Sequence, residues 1–95
     1  MSEINLKEMR IEIDKINDDI ISAIEKRMKI VKKVAKYKKE NSIPIVDKSR
    51  EEYVMMVFEN NFKAKNMSKY SGRIIARALI DAAVIEENQL THSQF

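Results

Sequence analysis

The sequence predicts an all-α protein, and three observations carry that prediction. Residues 6–40 contain no proline or glycine, and apolar side chains recur there as Leu6, Met9, Ile13, Ile16, Ile20, Ile24, Met28, Val31 and Val34. Those steps of three and four trace one face of a helix. The chain of 95 residues holds one glycine and one proline, far too few for a fold made of tight turns. Lys, Glu, Ile, Met and Ala are abundant, a composition that favours helix. The expected architecture is a three-helix protomer with one long N-terminal helix. A chain of this length suffices for a single domain over residues 1–95, with an ordered core over about residues 4–90 and a frayed tail at 91–95.

The first helix, at 1.5 Å per residue, is roughly 52 Å long. Asn5 or Ser2 caps its start, and Glu8, three residues after Asn5, completes an approximate capping box. On its outer face the acids Glu12, Asp14, Asp18 and Asp19 lead and the bases Lys32, Lys33 and Lys36 trail, which suits the helix dipole. Asn41-Ser42 ends the pattern, and Pro44 forces Ile43 out of helical geometry. Residues 41–46 are therefore a connector, with Ile43, Ile45 and Val46 expected to pin it to the core. The second helix opens at Asp47 or Ser49, both acceptable caps. Tyr53, Val54, Met56, Val57, Phe58 and Phe62 carry it to about Ala64, with a weak last turn at Asn60-Asn61. Ser68 caps a third helix running to about Leu90. One line along it reads Ala76, Leu79, Ala83, Glu87, Leu90, and Ala76, Ala78, Ala82 and Ala83 admit close approach.

The length of the first helix has a consequence for assembly. A lone globule of this size has a radius of gyration of about 12 Å, and two shorter helices do not cover so long a rod. A second copy laying its own long helix alongside does. The expectation is an obligate homodimer with antiparallel long helices.

Composition excludes several classes of chemistry. The absence of cysteine removes disulfides and thiolate catalysis and fits a reducing, cytoplasmic location. The start of the chain is polar and no apolar run approaches the length of a membrane span, so no membrane association is expected. A formal net charge of +3, from 18 basic and 15 acidic residues, is milder than a duplex-binding protein concentrates, and no nucleic acid is expected as partner. His92 is the single histidine and lies in the tail, where a solvated side chain is the plain reading. No carboxylates fall at ligand spacing on one loop, so no metal is expected. Glycine loops that cradle phosphate are absent, and no cofactor is expected. What remains is a chain equipped to bind anions and donate hydrogen bonds.

The candidates for that work are polar residues that interrupt apolar faces. Arg27 and Lys38 stand eleven residues apart, within about 20° of each other on the helical wheel, and both border the stripe. Each candidate also has a plain reading. Arg27 and Lys38 snorkel, wetting their heads over buried stems. Asp47, Arg50 and Glu51 cap a helix and form surface ion pairs. Arg10 lies on the surface, Glu87 partners a lysine or faces water, and Tyr37, Tyr53 and Tyr70 are core or rim. The joint pattern is more informative: cations on the first helix, an Asp-x-x-Arg-Glu start to the second, and a glutamate on the buried line of the third.

Taken together these residues resemble a known family. Leu6-Lys-Glu-Met-Arg10-Ile-Glu-Ile13, Glu25-Lys-Arg27, Val34-Ala-Lys-Tyr-Lys38 and Pro44-Ile-Val-Asp47-Lys-Ser-Arg50-Glu51 stand in the order and spacing of the all-helical chorismate mutases, over about residues 4–90. The resemblance implies an intertwined homodimer with two equivalent sites, converting the dianion chorismate to prephenate in aromatic amino-acid biosynthesis without a cofactor. By position, Arg10 would be donated across the interface and Arg27 would hold a substrate carboxylate. Lys38 would donate to the ether oxygen and a carboxylate. Asp47 and Glu51 would meet the ring hydroxyl, and Arg50 would support carboxylate binding. Glu87 falls where family members carry Gln or Glu facing the ether oxygen. An ionised Glu87 would repel the developing oxyanion, so that role requires its protonated form. Ala83 departs from members with serine there and is left out of the site.

Two rivals differ in what they require. An isochorismate-pyruvate lyase on the same scaffold also holds a related dianion with cations; the Pro-x-x-Asp-x-x-Arg-Glu segment and Glu87 favour the mutase. A non-catalytic helical dimer would bind polyanions through Lys29, Lys32, Lys33, Lys36 and Lys39, for which a solvated helix face is the simpler explanation.

Overall fold

The computed structural model describes residues 5–92, and side chains over residues 5–90. It contains α1 (Leu6–Glu40), α2 (Lys48–Ala64) and α3 (Lys69–His92), with no strand among the described residues. The all-α reading and its three helices stand. The alternative cap Ser2, the last three residues of the expected tail and the His92 side chain lie outside the described residues. Helix α3 runs two residues beyond its expected end at Leu90.

Each helix start has a side-chain cap. Asn5 Oδ1 accepts from the Glu8 backbone N–H at 3.0 Å, Asp47 Oδ1 from Arg50 at 3.0 Å, and Ser68 Oγ from Tyr70 at 3.2 Å. Each satisfies a donor that a helix start leaves without an intrahelical partner. The choice between Asp47 and Ser49 thus falls to Asp47. Helices α1 and α2 end in the same way. After α1, Ser42 takes φ 55°, Ile43 N–H donates to Lys38 O at 2.8 Å, and Ser42 N–H to Lys39 O at 3.4 Å. After α2, Asn66 takes φ 61°, Met67 N–H donates to Phe62 O at 2.8 Å, and Asn66 N–H to Lys63 O at 3.1 Å. Both are Schellman closures, made here without glycine.

These closures correct one expectation. Ile43 and Val46 do not pin the connector to the core, because both are exposed and only Ile45 is half-buried. Backbone hydrogen bonds hold the connector instead. Of the core-or-rim alternatives for the three tyrosines, their exposure leaves the rim.

Backbone contacts divide the chain into two compact units, Met1–Ile30 and Val31–Phe95. The N-terminal unit carries most of α1, and its stripe of Leu6, Met9, Ile13, Ile16 and Ile20 is 42–56% exposed. The C-terminal unit comprises the last turns of α1 with α2 and α3. Its core is built from Val54, Ala76 and Ile80, with Met55 and Phe58 half-buried against them, and Ala35 and Ala83 are buried as well. Small residues set the α2–α3 approach. A Cβ on Gly72 would come within 2.8 Å of both Phe58 O and Phe62 Cγ, so only glycine lets α3 start this close to the end of α2.

Candidate active site

Lys38 lies in the last turns of α1, where the Schellman closure begins. Its carbonyl takes the Ile43 N–H, and its Nζ donates to Ile45 O at 2.6 Å and to Glu87 Oε2 at 3.4 Å. The device that stops α1 therefore also fixes this ammonium. The side chains of Lys38 and Glu87 are only 17% and 8% exposed. Lys38 does not snorkel to water; two acceptors inside the protein hold its head.

Glu87 reaches this position because the line read from the sequence is the inner face of α3. Ala76, Ala83 and Glu87 are buried, with Leu79 and Leu90 half-buried along the same line. A carboxylate on such a face is costly unless paired and hydrogen-bonded, and Lys38 meets that need. The glutamate and the lysine, 49 residues apart in the chain, were each legible as an anomaly, but not as a pair.

The start of α2 presents Asp47, Arg50 and Glu51 in three different states. Asp47 is exposed and commits one carboxylate oxygen to the cap. The bond from Lys38 to Ile45 O ties the ammonium to the backbone two residues before that cap. Arg50 is exposed, its guanidinium 5.2 Å from the centroid of the Tyr53 ring, a cation–π contact. Glu51 is turned inward, 13% exposed, and accepts from Arg77 Nη2 at 3.1 Å. Arg77 Nε in turn donates to Asp81 Oδ1 at 3.2 Å. The bond to Glu51 raises the pKa of the Arg77 guanidinium, with Asp81 adding to the effect against partial desolvation. Sequence reasoning missed Arg77: its i,i+4 partner Asp81 is readable on one helix, whereas its reach across to Glu51 is not.

Arg10 and Arg27 belong to the N-terminal unit. Arg10 is exposed. Arg27 is half-buried, and its Nη1 is shielded from solvent with no hydrogen-bond partner among the described residues. Buried donors are nearly always satisfied, and a guanidinium edge matches a carboxylate best. An orphaned Arg27 edge is what a carboxylate ligand would complete.

The clefts flank this machinery. One of about 390 Å³ is lined by Glu51, Met55, Met56, Arg73 and Arg77 among others. Another of about 660 Å³ is lined by Lys32, Lys33, Lys36, Lys39 and Leu90 with their neighbours. Neither includes Lys38 or Glu87. Among the described residues no cluster of three or more His, Asp or Glu is placed to hold a metal, and no helix is long and apolar enough to cross a membrane. The arrangement offers cationic donors and a carboxyl to an anionic, oxygen-rich molecule.

Comparison with known proteins addresses what that molecule is. The chain matches the family model described as chorismate mutase type II over residues 9–88. It is 34% identical over 76 residues to the chorismate mutase of Methanocaldococcus jannaschii, covering 80% of this chain and 77% of that protein. The search of solved structures finds no significant match.

Proposed function

The chain belongs to the chorismate mutase type II family, an isomerase family that rearranges chorismate to prephenate, and we propose that Lys38 and Glu87 are the groups that lower its barrier here. The reaction breaks one C–O bond and forms one C–C bond within a single molecule, so no nucleophile, metal or proton transfer is needed. Two demands remain. The flexible dianion must be held compact, and the negative charge growing on the departing ether oxygen must be stabilised.

Lys38 answers the second demand. An ammonium has three N–H donors, and the bonds to Ile45 O and Glu87 Oε2 use two of them, leaving capacity for a substrate oxygen. Its position is set by packing and by the α1 closure, so little reorganisation is needed as charge develops. When substrate binds, the ether oxygen accepts the third N–H of Lys38. Glu87, carrying a proton taken from solvent, donates to the same oxygen. The buried Lys38–Glu87 pair is the observation that carries this reading.

The first demand falls to the other cations and acceptors. Arg27 pairs its orphaned edge with one carboxylate, and Arg50 supports carboxylate binding from the start of α2. Asp47 and Glu51 meet the ring hydroxyl, and Glu51 accepts its one hydrogen. The partner subunit's Arg10 closes over the site in an intertwined homodimer, whose long helices cover each other's exposed stripe. A reducing cytoplasm suits the cysteine-free chain.

The test is direct. Chorismate disappearance, followed by absorbance, should be rapid with the purified protein, and Lys38→Ala should lower kcat by about 10² to 10³-fold. Wild-type turnover that survives Lys38→Ala unchanged would remove Lys38 from the mechanism. Pyruvate release from isochorismate, with chorismate left intact, would replace the mutase reading by the lyase.

A further inference from the structure

Glu51 comes to the substrate already engaged. Its side chain is only 13% exposed, and one carboxylate oxygen is bound by a guanidinium from the neighbouring helix. That guanidinium, Arg77, is itself anchored one turn along α3 by Asp81. The chain of contacts runs Asp81 to Arg77 to Glu51, from the exposed side of α3 to the inward-turned carboxylate near the start of α2.

The geometry points to Arg77 as the positioning residue for Glu51, holding its carboxylate so that the second oxygen is presented to the ring hydroxyl of the substrate. This rests on Glu51 being the acceptor for that hydroxyl. Three features favour positioning over a mere strut between helices. Arg77 is 44% exposed, and an ion pair with one partner so open to water contributes little stability. The α2–α3 contact has its own apolar core in Val54, Ala76 and Ile80 and does not depend on the pair. The pair also acts at the one place where orientation matters chemically: an unrestrained glutamate has three side-chain torsions, and only some rotamers aim its free oxygen at a ligand. A fork-shaped guanidinium gripped on two of its nitrogens removes that freedom. Lysine at the same position would supply charge without the fork.

The experiment compares chorismate with the same molecule lacking the ring hydroxyl, using wild type, Glu51→Gln, Arg77→Met and Arg77→Lys. Arg77→Met should lower kcat/KM for chorismate about tenfold, the scale of one charge-assisted hydrogen bond. The deficit should shrink to less than about twofold on the hydroxyl-free substrate, because there is then no hydrogen for Glu51 to accept. Arg77→Lys should recover part of the loss. Thermal unfolding of Arg77→Met should stay close to that of wild type. An equal deficit on both substrates, or a deficit that follows lost thermal stability, would make Arg77 a strut and overturn the inference. If Glu51→Gln discriminates between the substrates while Arg77→Met does not, Glu51 keeps its role and only the positioning by Arg77 fails. If Glu51→Gln itself treats both substrates alike, the hydroxyl assignment fails, and this inference with it.

Discussion

The two compact units treat their apolar residues in opposite ways. In the C-terminal unit the inner line of α3 is covered by the chain itself, down to an Ala76 that is fully buried. In the N-terminal unit the equally regular stripe of α1 remains about half exposed at Ile13, Ile16 and Ile20. Both lines obey the same three-and-four spacing, so periodicity identifies a face that wants covering and says nothing about what covers it. Residue size separates the cases. The line on α3 places alanine at two of its buried positions, Ala76 and Ala83, which suits tight packing within one chain. The stripe on α1 is built mainly of isoleucine and methionine, and an exposed large-residue patch of that kind fits the proposed surface between two copies.

The hardest way to break this contrast is to put charge on the α1 stripe. Ile16→Asp with Ile20→Asp should abolish the proposed homodimer and essentially all turnover, because a pair of unpaired carboxylates would have to be buried. Sedimentation shows the mass and the absorbance assay the activity. A variant of wild-type mass and rate would mean that nothing covers this face. Complementation sharpens the point. Arg10→Ala and Lys38→Ala, each nearly inactive, should recover about a quarter of wild-type activity when unfolded and refolded together, since half the dimers are mixed and each has one intact site. No recovery would keep Arg10 within its own protomer.

The next largest effect lies inside the self-covered unit. If Glu87 works by donating, a neutral side chain of the same shape that keeps a donor should serve in its place. Glu87→Gln should therefore hold most of the wild-type kcat, whereas Glu87→Ala should lose about 10²-fold. Equal losses in the two variants would return Glu87 to the role of ion-pair partner for Lys38.

What was legible in the sequence follows the same division between one helix and two. The bounds of α1 could be read because Pro44 and the missing glycines act along the chain, and Glu87 stood out because a charge on an apolar line is visible on a single helix. A cap at Asp47 or Ser49 needed only the immediate neighbours, but the choice of Asp47 needed the backbone geometry. The rest depends on what lies opposite. Arg77 is ordinary on α3 and acquires meaning only from Glu51 on α2. The exposed Ile43 and Val46 were misread because an apolar residue after a helix signals burial only if something is there to receive it. Arg27 stood out beside the apolar stripe on its own helix, whereas Arg10 was marked as a site residue by resemblance alone.

A smaller effect probes how the C-terminal unit covers itself. Gly72→Ala should gain up to about 1 kcal/mol in helix propensity but lose more, about 1–3 kcal/mol, to overpacking. The clash involves Phe58 O, a backbone atom in the middle of α2 that does not yield as a side-chain tip would. Thermal unfolding should fall by several degrees, while kcat of the folded enzyme stays unchanged. A rise in stability would mean that the two helices part easily and that the close approach is not what holds the unit together.

The smallest effect comes from the ends of α1 and α2, which close alike around different residues. Ser42 and Asn66 both adopt positive φ, a conformation that costs a residue with a Cβ roughly 1–2 kcal/mol and that Asn tolerates better than most. Glycine relieves that strain but also gains freedom in the unfolded chain, which returns about 0.4–1 kcal/mol. Ser42→Gly should therefore stabilise by a few tenths of a kcal/mol, whereas Asn66→Gly should be neutral or slightly destabilising. Because both closures lie within the unit that covers itself, each shift should be the same at every protein concentration. If a second copy covers the stripe on α1, the unfolding temperature should instead rise with concentration. A Ser42→Gly shift that varies with concentration would tie the α1 closure to the dimer and erase the distinction between the two units.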